Sequence, residues 1–173
     1  FGLAASNSTD ANEVVPFFSP ERESFLEYDL TKLVLSLSSA DKKVVGVLST
    51  LPINGGFLPG AGNRQRWTMI DQINEFFEVQ PISPDAPFID EDVNILMVVH
   101  PKQLPKKTQY AVDQFVMRGG KALVFFDPVA EADAPPRNMS RQPAGKSYFT
   151  DVLKAWGLQM RKGMVAGDME SAR

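Results

Sequence analysis

The chain of 173 residues contains no cysteine and a single histidine, His100. Without cysteine there are no disulfides, no thiolate nucleophile and no cysteine-held metal, and the redox compartment stays open. One imidazole is too few for a zinc or histidine-rich site of the usual kind. No metal, cofactor or catalytic residue is therefore assigned from the sequence. No stretch reaches the roughly 18–20 consecutive apolar residues that a membrane-spanning helix needs, and no signal-peptide pattern is present. There is no internal repeat and no low-complexity tract. A net charge of −3 offers no overall basic surface for nucleic acid.

What remains is an ordinary globular composition, with 43% hydrophobic and 23% charged residues, enough for one medium domain with its own core. The charges are segregated. Residues 1–93 carry 6 Lys/Arg against 14 Asp/Glu, whereas residues 94–165 carry 11 against 5. Such polarity steers an anionic ligand or an acidic protein surface, or is simply a pair of solvated faces. The chain opens on Phe1 and closes on "GDMESAR", which reads as the entry to another element. The expectation is a fragment of a longer protein, with residues 1–12 a flexible arm or linker end and 13–173 one domain.

Hydrophobic periodicity predicts a short strand over 13–18, confined to an edge by Pro16, and then a helix opening at Ser19 and Pro20. Leu26, Leu30, Leu33, Val34 and Leu37 fall at helical spacing and are expected to form one buried stripe. "KKVVGVLST" (42–50), "EVQPI" (78–82), "VNILMVV" (93–99) and "KALVFFD" (121–127) read as strands, with "GMVAG" (163–167) as a fifth. Helical patterns lie between them at 64–77, 105–120 and 147–157. Apolar strands alternating with amphipathic helices predict a doubly wound α/β fold with a mainly parallel sheet of order 2-1-3-4-5, flavodoxin-like, in three α/β/α layers.

In such a sheet, ligands bind outside the carboxyl ends of the strands, at the switch point between strands one and three. The candidate binding residues there are Asn54, Gly55 and Gly56 in the first loop, His100 and Lys102 after the third strand, and Asp127 after the fourth. The first loop, "LPINGGFLPGAGNRQRW", resembles a phosphate turn only in its glycines. Gly55 and Gly60 have the Walker spacing, but Ala61 and Gly62 stand where lysine and Ser/Thr belong. The dinucleotide pattern starts at Gly60 and Gly62 and then meets Gln65. Asn63 or a neighbour is left as a helix cap for an anion. For His100 to act as a base, Asp127 would orient it and Ser49 or Thr50 would supply a hydroxyl. No G-x-S-x-G elbow accompanies them. The acidic run Asp90–Asp92 reads as a solvated loop. Arg137, Arg141 and Lys146 form a basic surface segment open to anions or a partner.

Two blocks carry a family resemblance. "EVVPFFSPERESFLEYDLTKLVLSLSSADKKVVGVLSTLP" and "ILMVVHPKQLPKKTQYAVDQFVMRGGKALVFFDP" resemble the extracytoplasmic part of the auxiliary components of gliding-motility-type ABC transporters, the GldG-like family. The resemblance covers much of residues 7–128. It implies a periplasmic domain anchored to the inner membrane, partnered by an ABC permease and ATPase. It also implies a fold similar to the class I glutamine amidotransferases, whose nucleophilic cysteine this chain lacks, the matching strand end reading "VVHPK". The leading expectation is a non-enzymatic accessory domain acting by recognition. The alternatives are a periplasmic glycan- or small-ligand-binding module, with Trp67 near the crevice, and a degenerate hydrolase relying on His100 and Asp127.

Overall fold

The computed structural model describes residues 2–17, 19–38, 42–58, 62–128, 130–133 and 145–161. Four apolar segments form one all-parallel sheet: β3 (Val44–Ser49), β6 (Glu78–Ile82), β7 (Val93–Val99) and β8 (Lys121–Phe125), in the spatial order β6-β3-β7-β8. Counted along the sheet's own strands this is 2-1-3-4, the doubly wound order expected from the sequence. The expected fifth strand, 163–167, lies outside the described residues.

Alternation along the strands sends side chains to two cores. On one face Leu48, Leu96 and Val98 meet Ala111, Val112 and Phe115 of α3 (Lys106–Met117) and Phe149 and Val152 at α4 (Thr150–Ala155). On the other, Val45, Val47, Met97 and Val99 meet Ile53 and Ile70, the latter on α2 (Thr68–Phe76). The result is three layers, α/β/α. Burial of each large side chain in these cores contributes about 1.5–3 kcal/mol. Phe149 and Trp156 meet edge to face, their centroids 6.0 Å apart. The Trp156 indole N–H donates to Asp113 across the α3–α4 seam, at 2.9 Å.

The amino-terminal segment departs from expectation in two ways. Residues read from composition as an arm contain β1 (Leu3–Ser6), which pairs antiparallel with β2 (Asn12–Val15). Asn7 makes the turn: its side-chain oxygen accepts from the Thr9 and Ala11 amides, and its amide donates to the Leu37 carbonyl. A 3₁₀ turn, Pro20–Phe25, then leads into α1 (Leu26–Ser38). The Leu26–Leu37 stripe is not buried as a whole: of its members only Leu33 is in the core, while Val34 is 64% exposed. Helix α1 touches the body through Lys32, which pairs with Glu75 and lies 5.5 Å from the Phe76 ring centroid. The helix otherwise lies against the β1–β2 hairpin and the 3₁₀ turn, a cover too small to bury the rest of the stripe. Among the described residues, no helix is long and apolar enough to cross a membrane.

Candidate functional site

The carboxyl ends of β3, β7 and β8 carry the six candidate residues, and each end is held differently. After β3, Ser49 Oγ accepts the Leu51 amide, and the Ile53 amide closes a tight turn on the Leu51 carbonyl. Ile53, fully buried, anchors the loop in the core. The Trp67 amide returns to the Ile53 carbonyl at 2.9 Å and shuts the base of the loop. Between these anchors the chain forms a hairpin, β4 (Gly56–Leu58) on β5 (Gly62–Arg64). Gly55 sits at φ +72°, and a Cβ there would lie 2.8 Å from the Arg66 amide nitrogen. Only glycine satisfies both the left-handed backbone and the close approach. The helix opens at Thr68 with Trp67 in the capping position and no side-chain cap, so Asn63, inside β5, does not cap it. The loop therefore has neither the residues nor the strand-to-helix geometry of a phosphate cradle. Asn54, beside the glycines, has a buried side-chain oxygen with no hydrogen-bond partner among the described residues.

After β7, His100 adopts φ +49°, rare for a residue with a Cβ, and its surroundings fix it there. Its amide donates to the Phe125 carbonyl, continuing the β7–β8 ladder by one bond, and its carbonyl accepts the Thr50 hydroxyl. The imidazole is 2% exposed. Its Nδ1 lies 2.9 Å from Ser147 Oγ, and the same hydroxyl oxygen accepts the Asp127 amide at 3.0 Å. Its Nε2 lies 3.5 Å from Asp133 Oδ2, inside ion-pair range for a protonated ring but too poorly placed for a hydrogen bond. Lys102 donates to that carboxylate oxygen at 2.6 Å.

Residues 145–149 thus form a strap across the strand ends. The Ala130 amide donates to the Gly145 carbonyl, Ser147 to Asp127, and Tyr148 to Pro101 at 2.7 Å. A Cβ on Gly145 would stand 1.6 Å from Asp133 Oδ2, so the carboxylate occupies the place a side chain would take. Arg137 and Arg141 of the basic segment lie outside the described residues.

The structure brings His100, Lys102 and Asp127 together through two residues that sequence reasoning did not select. Ser147 joins His100 to the Asp127 backbone, and Asp133 joins Lys102 to the imidazole. The hydroxyl on the ring is that of Ser147; Ser49 bonds its own turn and Thr50 bonds the His100 carbonyl. Asn54, Gly55 and Gly56 belong to the hairpin base, which Thr50 ties to the His100 backbone. Ser147 and Asp133 stand 47 and 31 residues from their partners, inside or beside a polar stretch with no periodicity. No local signal marks them. Among the described residues no group of three or more His, Cys, Asp or Glu is placed to hold a metal ion.

The fold and this strand-end cluster define a doubly wound α/β domain whose ligand edge is partly roofed by its own chain. The family model for an ABC-type uncharacterized transport system matches residues 42–173, and the chain belongs to that family. It is an auxiliary component of an ABC transport system, a role that implies association with transporter components. No curated protein and no solved structure matches it.

Proposed function

We propose that this chain is a non-enzymatic recognition domain of a gliding-motility-type ABC system. It stands on the extracytoplasmic, periplasmic side, tethered to the inner membrane within the full-length protein, and binds the permease with its ATPase. The transport family supports the setting, and the sequence resemblance supports the side of the membrane and the motility type. One observation carries the non-catalytic part: the imidazole where a base would act is roofed by the strap. Its hydroxyl neighbour, Ser147, is itself buried and accepts the Asp127 amide. A nucleophile must reach a substrate carbonyl or phosphorus, and this hydroxyl is spent on holding backbone.

Purification through a tag on this chain, after co-expression with the permease and ATPase of its own system, is expected to recover all three from detergent-solubilised membranes. Recovery of the chain alone overturns the reading. Protease added to intact spheroplasts is expected to digest the domain; protection would place it on the other side.

A glycan- or small-ligand-binding role is favoured by one observation, the buried oxygen of Asn54, unpartnered among the described residues, which costs about 1–3 kcal/mol until something donates to it. A thermal-shift panel of oligosaccharides would show stabilisation that Asn54→Ala removes. A panel with no shift ends this reading and leaves the first intact.

A further inference from the structure

At the strand ends, where this fold class takes its ligands, the chain places a carboxylate of its own. Asp133 lies in the 3₁₀ turn Glu131–Asp133, beyond β8, and its side chain reaches back to the end of β7. Lys102 Nζ donates to Oδ2 at 2.6 Å, and His100 Nε2 stands 3.5 Å from the same oxygen. Against the strap the fit is close. A Cβ on residue 145 would stand 1.6 Å from that oxygen and 2.7 Å from the carboxyl carbon, so the flat group lies where only glycine leaves room. Against the imidazole the fit is poor. Ser147 Oγ accepts the Asp127 amide and has its own proton to give Nδ1, which puts the neutral ring's hydrogen on Nε2. That ring is 2% exposed, and among the described residues Nε2 has no hydrogen-bond partner. Lys102 holds the carboxylate, and a buried donor beside it goes unsatisfied.

We propose that Lys102 and His100 form a receptor for the carboxylate of a small organic acid, and that Asp133 fills it as an internal ligand until the incoming one takes its place. Three features argue for this occupant. The receptor aims a cation and a ring N–H at one oxygen, the pattern by which charge-assisted hydrogen bonds hold a carboxylate. The slot over Gly145 admits a planar group, whereas a tetrahedral phosphate is bulkier, and the loop after β3 has no cradle for one. A carboxylate set nearer Nε2 satisfies both donors, which Asp133 does not, so the exchange gains a hydrogen bond for a buried group that lacks one. The way in lies on the Lys102 side, where the Lys102 and Asp133 side chains are 39% and 20% exposed. The inference gives the small-ligand reading a ligand class and rests on that reading for the place of binding. The oligosaccharide panel reads Asn54 and the test below reads Lys102, so either can fail alone.

The lone histidine makes the receptor directly readable, because the imidazole signals in a proton–carbon NMR spectrum belong to His100 and to no other residue. The 173-residue chain is titrated with sodium acetate and, separately, with inorganic phosphate, at constant pH and with sodium chloride holding the ionic strength fixed. Asp133→Ala is expected to give a saturable shift of these signals with acetate, together with a rise in melting temperature. The wild type is expected to need roughly tenfold more acetate, since a tethered carboxylate competes at high effective concentration. As Asp133 leaves, the Ala130 amide, bonded to the Gly145 carbonyl, is expected to exchange faster. Lys102→Met added to Asp133→Ala is expected to weaken acetate binding by roughly tenfold, the worth of a charge-assisted hydrogen bond. Should Asp133→Ala misfold by circular dichroism, Asp133→Asn keeps the shape without the charge and is expected to respond between the two. An Asp133→Ala chain with no saturable response overturns the proposal. So does a wild type that never responds or responds equally, a Lys102→Met variant that binds unchanged, or phosphate that binds more tightly than acetate.

Discussion

Helices α1 and α3 have 13 and 12 residues, and both carry apolar side chains at helical spacing, yet they end in opposite situations. Helix α3 buries Thr108, Ala111, Val112 and Phe115 against the sheet, while α1 buries Leu33. Periodicity belongs to the helix itself; burial belongs to what lies opposite. A stripe of leucines states that a helix has a face to cover, and says nothing of which molecule covers it. The difference follows from the connections. Helix α3 is the crossover between β7 and β8, parallel strands that pair directly, so the short loops at its ends hold it on the sheet. Helix α1 follows a hairpin that is not part of that sheet and lies against that hairpin, with the Lys32–Glu75 pair reaching α2.

The sharpest way to break this comparison is to remove matched side chains from the two helices and measure unfolding in dilute solution. Phe115→Ala in α3 is expected to cost about 3–5 kcal/mol, the usual penalty for an emptied aromatic site in a core. Val112→Ala, at a fully buried position, is expected to cost about 2–3 kcal/mol from lost transfer energy and the remaining cavity. The same substitution in α1, Val34→Ala, is expected to stay within about 0.5 kcal/mol or to stabilise slightly. It removes little buried surface and puts the best helix former at an exposed site. Equal costs for Val34 and Val112 would show that α1 is packed in solution, and the contrast between the helices would be lost.

The strap offers an intermediate case, where polar contacts replace apolar ones. Ser147→Ala deletes the hydroxyl shared by the His100 ring and the Asp127 amide. Because both groups are left without that partner beneath the strap, the expected cost is about 1–3 kcal/mol. Amide exchange should separate this from a general loss. The Tyr148 amide, bonded to the Pro101 carbonyl, is expected to lose protection more than amides of α2 on the far face. Uniform loss across both faces would mean that the strap is not a local clasp.

The parallel sheet was legible because β3 and β7 are short, almost unbroken apolar runs, and such runs need cover on both faces, whereas β6, Glu78–Ile82, is of mixed polarity. Val44–Ser49 and Val93–Val99 could hardly be anything else between amphipathic helices. The carboxyl-end location of the candidate residues followed from the same topology. The β4–β5 hairpin was not legible. It rests on three residue pairs of mixed polarity, Gly56–Arg64, Phe57–Asn63 and Leu58–Gly62, with no alternating pattern. Asp133 and Ser147 were hidden for a different reason. Long polar connections carry no periodicity, and which of their side chains turns inward depends on a fold that brings residues about 30 to 50 positions apart into contact. His100 was visible as the lone imidazole at a strand end, but its left-handed backbone and its hydroxyl partner were not.

The smallest effect concerns the surface of the well-packed half. Asp151, near the start of α4, accepts a hydrogen bond from Lys106, at the start of α3, at 2.6 Å. That hydrogen bond, then the Lys106 charge and, more weakly, Lys154, hold the Asp151 carboxyl below its ordinary range against a small opposing desolvation. A carboxyl whose proton affinity is lower in the folded than in the unfolded chain stabilises the fold above its unfolded value. That contribution is lost as pH falls through the folded one. Both side chains stand mostly in water, 77% and 74% exposed, where long side chains and screening reduce an ion pair to little. Asp151→Asn is therefore expected to lower the melting temperature slightly near neutral pH, with the difference shrinking in acid and with added salt. If the α3–α4 seam is held by Phe149, Val152 and Trp156 as its packing indicates, the effect stays well below that of Val112→Ala. A cost of similar size would mean that the seam depends on its rim, as α1 does, and the two halves of the molecule would differ less than their cores suggest.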